Sequence, residues 1–260
     1  MRVVYIGHAT LLLEMDECRV MTDPNFDPHL GRFLRRVSPP GIPLLELPAL
    51  DAILLTHAHA DHLSFTTLDA LSESIPLFAP PPIAKWLQKL GYAQARAFAP
   101  GEEITIRGIT VHAASARHAG NRYGVDRWRS AANMYLLDSG TTSCFFAGDT
   151  ALTPTTHDLA AKRLKGRNRV LDVALLPIGH APWWKPGFRR GHLSSDDALE
   201  LFKRLEARFF IPYHWGTFHH VTSGPYDAMN RLRSLLTSHA RGADVRILEP
   251  GESLEIPTPS

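Results

Sequence analysis

Ala52-Ile53-Leu54-Leu55-Thr56-His57-Ala58-His59-Ala60-Asp61-His62 joins a short apolar run to three histidines and an aspartate. Residues 52–55 have the length and composition of a buried strand. In an extended stretch residues i and i+2 point the same way, so His57 and His59 can grip one ion. If the chain then turns into a helix, Asp61 and His62 reach a second ion nearby. At this chain's own His and Asp frequencies, roughly two random chains in a thousand would contain the spacing. Imidazole and carboxylate together are donors for borderline divalent ions such as Zn²⁺ or Mn²⁺.

Other apolar runs end in the same manner. Residues 3–6 lead into Gly7-His8, and residues 109–111 lead through small residues to His118. Residues 144–146 run into Ala147-Gly148-Asp149-Thr150, residues 173–176 into Pro177-Ile178-Gly179-His180, and residues 209–211 into Pro212-Tyr213-His214. Strand after strand thus delivers His or Asp just past an end, where layered α/β folds build their sites. Four residues cannot complete a two-ion site. Asp149 would bridge both ions, His118 would finish the first set, and His214 the second.

Residues 11–13, 104–106 and 134–137 add further strands. Helical spacing marks three segments. Residues 196–206 follow Ser194-Ser195, an N-cap signal, with Leu201, Phe202 and Leu205 on one face. Residues 226–239 place Met229, Leu232, Leu235 and Leu236 at helical intervals, and residues 83–90 stop at Gly91. Pro39-Pro40, Pro80-Pro81-Pro82 and residues 256–260 read as loops and a tail. Many strands with interspersed helices predict an α/β (α+β layered) domain. One domain over residues 1–256 is expected, with a tail at 257–260.

A chain of 260 residues should bury roughly 70% of the surface its unfolded form exposes, enough for one large core. A net charge of +2 provides no global field for nucleic acid, and no basic tail is present. Cys18 and Cys144 are too few for a thiol metal cage or a disulfide framework. The N-terminal apolar run is broken by Gly7 and His8, and no stretch reaches the roughly 18 apolar residues of a spanning helix. A cytoplasmic protein is expected, at most peripheral to a membrane; oligomeric state has no signature in the chain.

His-x-His-x-Asp-His after a strand, then a distant His118, Gly148-Asp149-Thr150 and a late His214, resembles the metallo-β-lactamase superfamily of binuclear hydrolases. Gly7-His8-Ala9-Thr10, Thr22-Asp23-Pro24, Phe146-Ala147-Gly148-Asp149-Thr150, Pro177-Ile178-Gly179 and His214-Trp215-Gly216-Thr217-Phe218 resemble one branch, that of N-acyl-phosphatidylethanolamine-hydrolysing phospholipase D. The ascorbate-6-phosphate lactonase branch shares the first of these words more loosely. The resemblance runs from about residue 5 to about residue 252 and implies a four-layer αββα sandwich. It implies that His57, His59, His118 and Asp149 hold one ion and Asp61, His62, Asp149 and His214 the other. It also makes His192, in Gly191-His192-Leu193, a further active-site histidine. The chain departs from that phospholipase in lacking its long N-terminal extension and in carrying His180.

Two ions, Zn²⁺ first and Mn²⁺ or Fe as alternatives, would lower the pKa of a bridging water and supply hydroxide. They bring about +4, of which Asp61, Asp149 and one hydroxide remove about three, so a phosphodiester fits the remaining charge. Asp61 thus counts as catalytic as well as ligating. His192, with His180 second, is the candidate for transition-state stabilisation or proton donation, and His8 orients a ligand. Trp183, Trp184 and Arg35 are candidate substrate-binding residues: Trp183-Trp184-Lys185 and residues 26–47 either line an entrance, touch anionic lipid or form ordinary packed loops. The expected substrate is small and anionic or lipid-like. A lactonase or acyl-ester hydrolase, and a metal-binding scaffold without turnover, remain as alternatives.

Overall fold

Runs that are apolar at every position need cover on both faces. The computed structural model, which describes residues 1–31, 34–164, 168–179, 187–219 and 223–257, supplies that cover with two stacked sheets and flanking helices. The first sheet contains β1 (Arg2–Gly7), β2 (Thr10–Met15), β3 (Cys18–Thr22), β6 (Ala52–Leu54), β7 (Leu77–Ala79), β8 (Ala95–Ala97) and β15 (Ser253–Glu255), in the order β15-β1-β2-β3-β6-β7-β8. The second contains β9 (Glu103–Ile106), β10 (Ile109–Ser115), β11 (Asn133–Asp138), β12 (Ser143–Phe146), β13 (Val173–Pro177) and β14 (Phe209–Tyr213), in the order β14-β13-β12-β11-β10-β9. A two-residue ribbon, β4 (His29–Leu30) with β5 (Leu34–Arg35), stands apart.

Alternation on the strands shows the layering. Val3, Tyr5, Leu11 and Leu13 face the core between the sheets, where they share a cluster with Val111, Tyr135 and Phe145. The intervening Val4, Ile6 and Leu12, with Met21, form a second cluster beneath Phe26, Ile42, Leu47 and Leu50. Farther along the same sheet Ile53, Leu55 and Leu77 pack with Leu68 of α1 (Phe65–Ala70) and with Ile83 and Leu87 of α2 (Pro81–Lys89). On the opposite side α3 (Asp158–Leu164) meets β10, α4 (Ser195–Leu205) meets β13, and α5 (Asp227–Leu236) lies along α4. The order is helix, sheet, sheet, helix, as the family resemblance implies.

The expected helices form, with one change in reading. Pro81 and Pro82 do not belong to a loop but open α2, because first-turn N–H groups have no intrahelical acceptor and proline loses nothing there. α4 starts at Ser194, whose hydroxyl accepts from the Asp197 amide while the Asp197 carboxylate takes the Ser194 N–H. None of the described helices is long and apolar enough to cross a membrane.

Strand direction places the site. β1, β2 and β3 form an antiparallel meander, so β1 runs the same way as β3 and its parallel neighbour β6. In the second sheet β10 is antiparallel to β11 and β11 to β12, so β10 runs with the parallel set β12, β13 and β14. Every strand that delivers a donor therefore ends at the same edge of the sandwich.

Candidate metal centre

His57 and His59 follow β6, and His118 follows β10. The His118 Nδ1 lies 2.8 Å from the Gly191 carbonyl, which only accepts, so Nδ1 carries the hydrogen and Nε2 keeps a lone pair. Thr56 Oγ1 donates to Asp23 Oδ2 at 2.6 Å and accepts from His57 Nδ1 at 2.9 Å, which leaves His57 Nε2 a lone pair too. Both lone pairs face His59 Nδ1, at 3.0 and 3.1 Å. A hydrogen on His59 Nδ1 can serve only one of them. Convergent imidazole nitrogens of this kind are satisfied by a cation.

A second group stands beside the first. His62 donates from Nδ1 to Asp23 Oδ2 at 2.7 Å, which turns its Nε2 to 3.5 Å from Asp149 Oδ2 and 3.8 Å from Asp61 Oδ2. His214 Nε2 lies 3.4 Å from Asp149 Oδ2 and 3.5 Å from Asp61 Oδ2. The same Asp149 oxygen is 4.0 Å from His57 Nε2, so it stands between the two groups. His62 Nε2, His214 Nε2 and Asp149 Oδ1 are buried without hydrogen-bond partners, a costly arrangement in a core. Donor atoms of His57, His59, His118 and Asp149 lie within 4.8 Å of one another, as do those of His8, Asp61, His62 and His214. Buried orphan atoms and N/O donors at this spacing fit divalent ions.

The electrostatics divide along the same line. Burial, reinforced by the neighbouring imidazoles, holds His57 well below the ordinary histidine range. Burial pushes His118 down to about 4 and also lowers His59, against the pull of nearby carboxylates. The first group is therefore neutral at pH 7. Burial also disfavours charge on His62 and His214, but carboxylates outweigh it. Asp149, Asp61 and Asp23 hold His62 well above its usual value, and Asp149 and Asp61 hold His214 at about 9. Conversely, burial would raise Asp61 and Asp149, yet His62 and His214 keep both well below the usual carboxylate range.

Backbone geometry at the strand ends holds the donors in place. His8, Asp23 and His214 all have positive φ (57°, 35° and 67°), a strained conformation that only surrounding structure sustains. The His214 amide donates to the His8 carbonyl at 2.9 Å, the His8 amide to Thr217 Oγ1 at 2.8 Å, and Tyr213 OH to the Gly148 carbonyl at 2.7 Å. Gly148, at φ +56°, sits where a Cβ would approach Thr56 and the Asn133 carbonyl to within 2.8–2.9 Å. Only glycine lets Asp149 come this close to the His57 loop.

All seven expected ligands meet at this edge. His8 holds Asp61, Nε2 to Oδ2 at 3.0 Å, and its ring lies 3.9 Å from that of His214. His192 stacks on Phe188 at 3.9 Å, donates from Nδ1 to the Phe188 carbonyl, and turns Nε2 toward Asp149 Oδ2 at 3.4 Å. Arg35 is exposed and does not line the cavity over the centre; its neighbour Leu34 does, because alternation on β5 turns Arg35 outward. His180, Trp183 and Trp184 lie outside the described residues. Asp23 is the functional residue that motif reading left without a role, although Thr22-Asp23-Pro24 set a carboxylate just past a strand end. It orients His62 directly and His57 through Thr56. A cavity of about 520 Å³ opens over the centre, walled by Leu30, Leu34, Phe188, Trp215, Phe218 and Pro225.

A family model for the Beta-lactamase superfamily domain matches residues 18–215. The chain belongs to the metallo-β-lactamase superfamily. Among relatives within it, a metal-dependent hydrolase of Heliobacterium modesticaldum is 28% identical, with 98% of each chain covered. N-acyl-phosphatidylethanolamine-hydrolyzing phospholipase D 1 of Caenorhabditis elegans is 27% identical over 89% of this chain and 68% of its own. The superfamily fold is also that of an isothiocyanate hydrolase from Delia radicum gut bacteria, with a TM-score of 0.81 at 20% identity over 99% and 100% of the two chains. Igni18, a metallo hydrolase from Ignicoccus hospitalis, gives a TM-score of 0.70 at 22% identity over 97% of each chain.

Proposed function

We propose that the protein is a metal-dependent hydrolase that holds two divalent ions, Zn²⁺ foremost, and cleaves phosphodiesters. The observation that carries this reading is the position of Asp149 Oδ2, within 3.4–4.0 Å of histidine nitrogens from both ligand groups, where one carboxylate can serve two ions. His57, His59 and His118 would hold one ion, and Asp61, His62 and His214 the other, with Asp149 common to both. Bound there, two divalent ions would supply Lewis acidity, enough to lower the pKa of a bound water to near neutrality and to polarise the substrate. The chain itself does the remaining work. His8 keeps Asp61 in place, Asp23 keeps His62 in place, and His192 faces the cavity where it can stabilise developing charge or give a proton to the departing oxygen. Resemblance to the C. elegans phospholipase supports the phosphodiester as substrate class.

One observation favours a second reading, acyl-ester or lactone hydrolysis. No lysine or arginine lines that cavity among the described residues, which suits a neutral substrate. Metal-loaded protein should be assayed on bis(4-nitrophenyl) phosphate and on a simple lactone, with metal content measured and Asp149→Asn as control. Phosphodiester turnover lost together with bound metal in the control is the expected result. Lactone turnover alone would move the protein to the second reading, and full metal content with full activity in Asp149→Asn would overturn the scheme.

A further inference from the structure

The centre has two approaches, and they differ in charge. Beside the apolar cavity lies a second one of about 500 Å³, reached past His59, Phe188 and His192, which line both. Its wall holds Arg117 and Arg190, and among the described residues it contains no carboxylate. The two arginines are brought together by the site itself. Arg117 precedes His118, Arg190 precedes Gly191, and the His118 Nδ1 donates to the Gly191 carbonyl, so the two segments are stitched side by side. Gly191 permits the approach: a Cβ there would lie 3.0 Å from His118 Nδ1. Arg189, the sequence neighbour, is spent in a two-pronged ion pair with Asp197. Among the described residues neither the Arg117 nor the Arg190 guanidinium has such a partner.

We infer that Arg117 and Arg190 form an anion-recognition rim, so that the substrate carries an anionic group, carboxylate or phosphate, on one side of the reacting centre and an apolar group on the other. Guanidiniums with no carboxylate partner among the described residues favour an anion, and their planar donors suit its oxygens. The apolar cavity takes the opposite limb, with the metal ligands between them. This assignment rests on the metal-hydrolase reading and narrows its substrate class.

Binding can test it without turnover. Metal-loaded protein would be titrated calorimetrically with ω-carboxyalkylphosphonates of two to four methylenes, each against the alkylphosphonate of equal length. The phosphonate is common to each pair, so the two differ only in the carboxylate, and the rim's share of any preference is read from the arginine variant. Exposed ion pairs are individually weak, so two should favour the carboxylate by about tenfold for at least one chain length. In Arg117→Ala/Arg190→Ala that preference should fall to unity or below. Both residues are exposed, and unchanged thermal unfolding would show the fold intact. No preference in the wild type, or the same preference in the double variant, would overturn the rim; so would failure of both ligand types to bind. A preference lost in the variant, with no turnover of bis(4-nitrophenyl) phosphate, would leave the rim standing and remove only the phosphodiesterase reading.

Discussion

Asp23 serves three partners with one buried carboxylate: the Thr56 amide, the Thr56 hydroxyl and His62 Nδ1. It thereby aims His62 Nε2 at the centre, where that nitrogen can ligate once it has lost its proton. Asp23→Asn removes the charge and presents an amide where the imidazole N–H must be accepted. Loss of such a supporting hydrogen bond typically costs 10–100-fold in metal affinity. A metal titration should show that loss at the His62 group, with the smaller effect at the His57 group. The two groups should also differ in protons. His62 and His214 are held protonated at neutral pH in metal-free protein, whereas His57, His59 and His118 are neutral. Filling the second group should release about two protons and filling the first about none, because an imidazole must be deprotonated to ligate. Calorimetry in buffers of different ionisation enthalpy measures this, and equal release from both groups would count against the assignment. The histidines were legible at this scale because they follow apolar strands. Asp23 was not, because the strand before it alternates through the exposed Arg19 and does not stand out as an apolar run.

Elements that carry their own local signals were readable, and those stabilised by neighbours were not. α4 has a complete capping box and an apolar stripe. Ser194→Ala should lower stability by about 1 kcal/mol, seen as a shift of the urea midpoint with an unchanged slope. By contrast α1 contains Thr66 and Thr67 in six residues, a poor helix former alone, and is held by Ser64 at its N-cap and by burial of Leu68. β7 is three residues flanked by Pro76 and Pro80, and β8 is Ala95-Arg96-Ala97; both are strands because parallel neighbours complete their hydrogen bonds. The β12-to-Asp149 turn depends on one glycine. Gly148→Ala adds a methyl against Thr56 and the Asn133 carbonyl at positive φ, and should destabilise by about 1–3 kcal/mol or more. Thermal unfolding and metal content should fall together in that variant, since the shift that relieves the clash moves Asp149.

At the scale of the molecule, folding gathers imidazoles and carboxylates into one edge of a core, where attraction between the two kinds offsets part of the cost of burying them. In metal-free protein His214 is raised from 6.5 to about 9 by the carboxylates, so its contribution to stability is complete below pH 6.5 and lost as pH rises through about 9. Metal binding runs the other way, because protons compete with ions for the same nitrogens. The difference in Tm between metal-loaded and chelator-treated protein should therefore widen from about pH 6.5 to 9; a gap that narrowed over that interval would contradict the assignment. The layered α/β class, the metal-ligating residue types and the bridging role expected of Asp149 were legible in the chain, because apolar strands bounded by His and Asp are local patterns set by burial and donor chemistry. Only folding reveals that Asp23 aims His62 and that Arg117 and Arg190 line one cavity. Those relations join residues far apart in the chain, and only the common direction of strands in two stacked sheets, locked by hydrogen bonds such as His118 to Gly191, brings them within reach.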